Sequence, residues 1–381
     1  MRRYDVDAVE VPLPMLGGGK GKVYVLETDR VPVVAGRKPP QPLVLHVGVG
    51  DCVKVALHND TRGGPVSFHV DQLAFDPRTS GGVAAGYDPP QSVAPGRTRS
   101  YTYYASPEVG QTTALVRDWG DVLHNPGLGL YGAVVVGPRG ASYRDPATGR
   151  DLAGRSSWRA DVVPASGPSY RDFSLFFQDQ DEGIGNHHMP YTTSVEGVVG
   201  LNYQTAPFAT RLTKVPDPGR VYSLSAHGDP PTPRPAAYVG DRVRLHVLAP
   251  WSEQAQVFSL EGHEWPVEPG VRGTTLVSSV QVGGLEAITI EPAGGAGGRA
   301  RLAGDYLYGD HRMPYLEAGL WGVFRVRPQC AVAGSLHRLP GEHPTCGRRH
   351  RGPAALGPAA GICAMVVGVT LAWRRRRERV A

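Results

Sequence analysis

Cysteine is scarce in this chain. The four thiols, Cys52, Cys330, Cys346 and Cys363, are spread out, with no zinc-ribbon spacing among them. A phosphate-binding signature is missing too. Gly17-Gly-Gly-Lys-Gly-Lys22 has glycines and lysines but lacks the P-loop spacing and its closing Ser or Thr, so it reads as a flexible turn. No strong helical periodicity runs through the sequence. Nor do aromatic and basic residues interleave, and no helix would fit a groove, which argues against nucleic acid as a partner. Met1-Arg-Arg-Tyr-Asp-Val-Asp7 has two arginines but no apolar core behind them and does not read as a secretory signal.

Glycine and proline are plentiful, at 50 and 35 of 381 residues, and segments rich in Val, Leu and Tyr recur between them. That alternation predicts an all-β protein, and the length suits two domains or slightly more. The formal net charge of +5 comes largely from Arg374 to Arg377 and Arg379 at the end, so it says little about the folded body. Just before them, Gly352 to Trp373 carries no charge and reaches the roughly 20 residues that cross a bilayer core. By the positive-inside rule the arginines stay in the cytoplasm and everything before the span lies outside.

These features predict a single-pass cell-membrane protein with a stalk at 328–351, a transmembrane helix at 352–373 and a cytoplasmic basic tail at 374–381. The competing reading is a disordered Ala/Pro/Gly tail. An anchor without a leader implies either that the chain starts inside a longer protein or that the tail directs its own insertion. Cys330 and Cys346 in the stalk either form a disulfide or remain two unpaired thiols, because spacing alone does not fix connectivity.

A faint internal repeat is readable. Leu43-Val-Leu-His-Val-Gly-Val-Gly-Asp-Cys-Val-Lys-Val-Ala-Leu-His-Asn59 alternates apolar and polar residues across a Gly-Asp turn, and Ala237-Tyr-Val-Gly-Asp-Arg-Val-Arg-Leu-His-Val247 does the same. Both predict an opening hairpin. Each copy also closes alike, through Gly127-Leu-Gly-Leu-Tyr-Gly-Ala-Val-Val-Val136 and Ala318-Gly-Leu-Trp-Gly-Val-Phe-Arg-Val326. Each copy has about the size of a Greek-key β-sandwich. The predicted division is domain 1 at 1–137, a linker at 138–170 and domain 2 at 171–327.

The ends of these copies resemble cupredoxin domains, the units of multicopper oxidases. Gly304-Asp-Tyr-Leu-Tyr-Gly-Asp-His-Arg-Met-Pro-Tyr-Leu-Glu-Ala-Gly-Leu-Trp-Gly-Val-Phe-Arg-Val326 is similar to the family's last copper loop, with Gly309, Asp310 and His311 under its His-Cys-His triplet. Further likeness lies in Ser67-Phe-His-Val-Asp-Gln-Leu-Ala-Phe-Asp-Pro77, Gln91-Ser-Val-Ala-Pro-Gly96, Phe176-Phe-Gln-Asp-Gln-Asp181 and Phe258-Ser-Leu-Glu-Gly-His-Glu-Trp265. It resembles most the large bacterial branch that includes manganese-oxidising enzymes. The resemblance implies two cupredoxin-like Greek-key β-sandwich domains, copper as cofactor and dioxygen-coupled oxidation of a metal ion or small reductant.

The ligand positions depart from the family. Asp310 stands where the blue copper needs a thiolate. The first histidine pair becomes His69 and Asp71, and no histidine falls in Thr112–Trp119 for the second. In the segment Gln256–His263, Gln256, Ser259 and Glu261 stand in ligand places, and the fourth pair becomes Gly309 and His311. His263 matches a histidine that is not usually a ligand.

If the domains pack as in the family, His69, Asp71, Glu261 and His311 converge between them, a set that suits manganese, iron or zinc better than copper. The competing reading is a polar interface in which the carboxylates pair with histidines or with Arg117. His187-His188-Met189 reads as a solvated connection, because adjacent strand residues face opposite ways, and His124 as a turn cap. Two functions follow: a non-catalytic scaffold or partner module of an oxidase, or a copper-binding oxidoreductase working within a larger or partnered enzyme.

Overall fold

The structure is a computed structural model that describes residues 1–16, 19–180 and 198–328 together with Leu336 and Leu339. The expected membrane helix and tail, the rest of the expected stalk beyond Pro328, Cys330, Cys346, Cys363 and His187-His188-Met189 lie outside these residues. Among the described residues no helix is long and apolar enough to cross a membrane. The described residues fall in one compact unit, Met1–Gly341.

The first part of the chain supplies β1 (Arg2–Pro12), β2 (Lys20–Leu26), helix α1 (Glu27–Val34), β3 (Leu43–Gly48), β4 (Cys52–Asn59), β5 (His69–Val70), β6 (Ala74–Phe75), β7 (Thr98–Tyr104), β8 (Thr112–Arg117) and β9 (Tyr131–Gly137). They make two sheets, in the orders β2-β1-β4-β7-β6 and β3-β9-β8-β5. Along β4 burial alternates residue by residue, and Val53, Val55 and Leu57 meet Tyr101 and Tyr103 of β7 in the core between the sheets. By contrast β3 and β9 are buried at every position, because both faces of their sheet are covered.

The second part follows the same plan. Its strands are β10 (Ser142–Arg144), β11 (Arg159–Val163), β12 (Tyr170–Gln180), β13 (Val198–Leu201), β14 (Ala236–Tyr238), β15 (Val243–Ser252), β16 (Gln256–Leu260), β17 (Trp265–Pro266), β18 (Leu276–Val277), β19 (Ser279–Val282), β20 (Ala287–Ile290), β21 (Gly304–Asp310) and β22 (Trp321–Arg327). Short helices α2 (Phe208–Lys214), α3 (Leu224–His227) and α4 (Met313–Ala318) sit between them. The sheets run β10-β11-β12-β15-β20 and β14-β22-β21-β16-β19, with β17 and β18 as a small separate hairpin.

The pairings match step for step. β1 lies parallel to β4 as β12 does to β15, and β3 lies parallel to β9 as β14 does to β22. β8 and β21 complete the match, each antiparallel to the closing strand of its copy.

Two expectations need correction. Neither copy opens with a hairpin, since β3 and β4 belong to different sheets, as do β14 and β15. The Gly-Asp pair instead carries the chain across the core as an arch. Gly50 (φ 88°) and Gly240 (φ 84°) take the left-handed conformation that the bend requires. The next aspartate ties the arch shut: Asp51 Oδ2 accepts from Gly48 N at 2.8 Å, and Asp241 Oδ2 accepts from Tyr238 N at 2.9 Å. Each carboxylate also holds an arginine on the adjoining strand, Arg2 Nε at 2.9 Å and Arg171 Nε at 2.6 Å. The alternating pattern was legible as two strands and a turn, but alternation does not say whether the two strands pair with each other.

The second correction concerns residues 138–170, expected as a linker, which contain β10 and β11 at the edge of a sheet. Their inward residues Tyr143, Ala160 and Val162 form a small core with Ala141, Leu152 and Tyr170.

A third apolar layer joins the two pairs of sheets. Val9, Val11, Leu13, Val23, Val25, Val44, Leu115, Tyr131, Ala133 and Val135 from the first part pack on Phe176, Val198, Tyr203 and Leu248 from the second. Tyr131 stacks on Phe176 with ring centroids 5.7 Å apart.

Candidate functional site

The shared register places the ligand positions of the two copies in correspondence. His69 is opposite Arg117 on the β5–β8 ladder, and Ser259 is opposite Gly309 on the β16–β21 ladder. Two residues on, Asp71 N donates to Leu115 O as Glu261 N does to Leu307 O, at 2.9 Å in both copies. Each ladder therefore presents its ligand positions on one face of its sheet.

In the first copy that face holds a closed polar cluster. Arg117 Nε and Nη2 donate to Asp71 Oδ1 at 3.1 and 2.5 Å. His69 Nε2 lies 3.0 Å from the same oxygen, and its Nδ1 donates to Gly81 O at 2.7 Å. Trp119 covers the cluster, with the Arg117 guanidinium 4.8 Å from the centre of its ring. Both ring nitrogens of His69 and the Asp71 carboxylate thus already have partners.

In the second copy the residues behave differently. Glu261 and His311 are exposed and stand four steps apart on the β16–β21 ladder, Glu261 beside Leu307 and His311 beside Val257. That separation is about 13 Å along a strand. Leu307, Val323 and Trp321 on the same face are covered by Ala206, Phe208, Tyr222 and Leu224. The opposite face of this sheet pair meets the first copy, through Phe176 and Leu248.

The predicted set of His69, Asp71, Glu261 and His311 is therefore divided. The structure brings His69 and Asp71 together and leaves Glu261 and His311 elsewhere. Among the described residues no three His, Cys, Asp or Glu side chains are grouped to hold a metal ion. Leu115, which pairs with Asp71, belongs to the layer against the second copy, whereas the face carrying Leu307 beside Glu261 is covered by the second copy's own Ala206, Phe208, Tyr222 and Leu224.

Asp310 ends β21 and is fully buried. Its Oδ1 accepts from Val257 N and Arg312 N, both at 3.1 Å, and its Oδ2 accepts from Arg312 Nε and Nη2 at 2.8 and 2.6 Å. The guanidinium also reaches Asp179 Oδ2 on β12 at 3.5 Å and lies 3.7 Å from the centre of the Tyr315 ring. Asp179 in turn accepts from Ser252 Oγ and Gln256 Nε2. Burial works against the charged guanidinium, but the hydrogen bonds and charge of Asp310, with the charge of Asp179, outweigh it and hold the Arg312 pKa above its ordinary value.

This donor set does not fit a blue copper ion. It offers carboxylate, amide and hydroxyl oxygens without a thiolate, and a guanidinium already lies among them.

Asp310 has a counterpart that sequence reading missed. Asp118 follows Arg117 as Asp310 follows Gly309, and it is also buried. Its Oδ1 accepts from Ser67 N at 2.5 Å, and Ser67 corresponds to Val257 in the shared register. Asp118 Oδ2 accepts from Asp121 N and Asn125 Nδ2, both at 2.9 Å. Burial raises its pKa, which these donors only partly offset. Asp310 is thus a strand-closing residue whose counterpart, Asp118, occurs in the first copy.

His263, read as a non-ligand, is held entirely by backbone. Its Nδ1 donates to Glu261 O at 2.9 Å and its Nε2 accepts from Gly297 N at 3.0 Å. Burial lowers its pKa. His124 faces the Asp121 carboxylate at 3.0 Å, and it is Asp121 that accepts from the turn's backbone, at Leu123 N.

Between the copies lies a polar cluster that sequence reading did not find. His246 Nε2 lies 2.6 Å from Asp172 Oδ1, and His246 Nδ1 lies 2.6 Å from Thr113 Oγ1 and 2.9 Å from Thr289 Oγ1. Its four residues are scattered over three strands of one sheet and one of another, so no local motif marks it.

No family model matches the chain, and no curated protein matches it. Solved structures do share its fold. A multicopper oxidase aligns at 16% identity over 86% of this chain and 89% of its own, with a TM-score of 0.52. A copper nitrite reductase from Nitrosomonas europaea aligns at 17% identity over 85% and 93%, with a TM-score of 0.53. A blue copper oxidase from the same organism gives 15% identity, 86% of each chain and a TM-score of 0.52.

At such identities the likeness establishes the fold. It is a mixed β-sheet architecture resembling cupredoxin-type β-sandwich domains, as in multicopper oxidases and their relatives in general. These matches do not single out a manganese-oxidising branch.

Proposed function

We propose that this chain is a non-catalytic module that serves a copper oxidoreductase as scaffold or partner. The reading is carried by the lodging of Arg312 between Asp310 and Asp179, in the segment that resembles the family's last copper loop. In the first copy Arg117, Asp71 and His69 make a separate closed cluster at two other ligand-like positions. The reading includes two cupredoxin-like domains, the second taking in the edge strands β10 and β11, a membrane anchor at 352–373 and descent from the bacterial manganese-oxidase-like branch. The last of these rests on sequence motifs alone.

A second reading, a copper-binding oxidoreductase within a larger or partnered enzyme, is the one the comparisons support better. The solved structures that share the fold are named as copper proteins and align over 86–93% of their own length. Local chemistry supports the first reading and fold kinship the second.

One experiment separates them. The purified chain is loaded with cupric ion, desalted and analysed for metal, with dioxygen consumption followed on a small reductant. The partner reading expects negligible copper and no oxidase activity. Near-stoichiometric copper with activity would sink it in favour of the second reading. The anchor has its own test: a chain ending at Pro328 should leave the membrane fraction, and retention there would refute the span.

A further inference from the structure

We propose that Arg211, Lys214 and Arg220, on α2 and the turn after it, form a binding site for a compact, doubly charged oxyanion of the phosphate or phosphomonoester type. Arg211 is buried, at 7% exposure, and its guanidinium meets only neutral groups. Its Nε donates to Val221 O at 2.7 Å, and its Nη2 donates to Ser223 O at 3.4 Å and Gly228 O at 3.3 Å. The centre of the Trp321 ring lies 4.9 Å from its Cζ. Carbonyl dipoles and an aromatic ring stabilise a cation without neutralising it. Arg171, Arg244 and Arg312 are also largely buried, and each of them meets a carboxylate.

Further positive charge gathers at the end of α2. Lys214 Nζ lies 3.5 Å from His227 O, the carbonyl just before the one that Arg211 Nη2 reaches, so the two cationic ends stand side by side. These contacts answer carbonyls at the end of α3 and position the cations without consuming their charge. Arg220 closes the turn Pro218–Arg220 and is exposed, as is Lys214. Burial lowers the His227 pKa, and the charges of Arg211, Lys214 and Arg220 lower it further, so all three cations reach that ring. Among the described residues none of these four side chains forms an ion pair. Asp217, the acid nearest in sequence, turns its Oδ1 to Gly219 N instead. Arg211 Nη1 has no partner among the described residues, which leaves two N–H groups of the fork for a ligand. A guanidinium fork beside an ammonium suits the oxygens of a tetrahedral dianion.

The test titrates the full-length chain with inorganic phosphate at constant ionic strength, read by calorimetry and thermal melting, beside Lys214→Gln/Arg220→Gln and Arg211→Gln. Wild type should bind about one equivalent and gain melting temperature with phosphate. Both side chains of the double variant are exposed, so it keeps the fold, and its affinity should fall at least about tenfold. Arg211→Gln can still donate to the carbonyls but lacks the charge, and it should bind weakly too. Nitrate, with a single charge, should bind at least about tenfold less tightly than phosphate.

No saturable phosphate binding to wild type would overturn the proposal. So would equal affinity in Lys214→Gln/Arg220→Gln, which would mean a general ion atmosphere only. Two sources of the anion are separated by reconstituting the chain in phosphatidylcholine vesicles with and without phosphatidic acid. Competition of phosphatidic acid with free phosphate at the wild-type site would assign a lipid headgroup, and its absence a soluble phosphate. Copper enters none of these measurements, so this site and the partner reading fail separately.

Discussion

Asp118 and Asp310 stand at the same step of the two copies and are both buried, yet only Asp310 faces a guanidinium. Their removal should therefore differ in cost. Asp310→Ala leaves Arg312 short of its main partner and should destabilise by about 3–5 kcal/mol. Asp118→Ala strands neutral N–H donors and should cost about 1–3 kcal/mol. Urea unfolding of the two variants measures the difference, and equal costs would show that the Arg312 pair carries no special weight.

His46 and His263 are also informative. Burial lowers both pKa values below that of the unfolded chain, so the folded state binds fewer protons than the unfolded state as pH drops below about 6.5. Their contribution is complete above that pH and is lost as pH falls toward the folded pKa. Thermal melts at pH 7 and pH 5.5 should show a smaller acid-induced drop for His263→Asn than for wild type.

The departures from the resembled ligand pattern were legible residue by residue, because they needed only a comparison of motifs. The role of Asp310 was not. Its meaning depends on Asp179, 133 residues from Arg312 in sequence, and on a counterpart whose loop to the closing strand differs in length. An arginine two residues after an aspartate is ordinary in a loop and gave no signal.

At the scale of elements, the duplicated arches form a natural comparison. The Arg171–Asp241 clasp is buried, with Arg171 at 0% side-chain exposure, and Arg171 also meets Asp161 at 2.7 Å. The Arg2–Asp51 clasp is open to solvent, at 29% and 26%. Asp241→Ala should cost about 3–5 kcal/mol, as a buried pair does when broken. Arg2→Ala should cost no more than about 1 kcal/mol. If chemical denaturation found the order reversed, burial would not be what sets the strength of these clasps.

The strands themselves were largely visible in the sequence, since period-two alternation marks β4, and apolar runs mark β9 and, broken only by His46, β3. Sheet membership was not, because it is decided by partners far along the chain. β10 and β11 were hidden for a related reason. They are short, and the turn residues around them read as a loop.

For the whole molecule, the apolar layer between the copies governs behaviour. Residues 1–137 expressed alone would expose Val9, Val11, Leu13, Val23, Val25, Leu115 and Tyr131 on one side. That fragment should aggregate or self-associate in size-exclusion chromatography, and a stable monomer would show that the first copy does not need the second. The same layer predicts one cooperative unfolding transition, and Phe176→Ala should lower its midpoint by the equivalent of about 3–5 kcal/mol. Two separate transitions would show independent folding of the copies.

Asp310 bonds to Val257 N and so joins β16 to β21 at the point where a metal shared between two strands would also join them. Ion and carboxylate are then interchangeable fasteners for the same seam. A chain that carries the carboxylate has no mechanical need for an ion there, so this seam of the sheet closes on protein atoms alone.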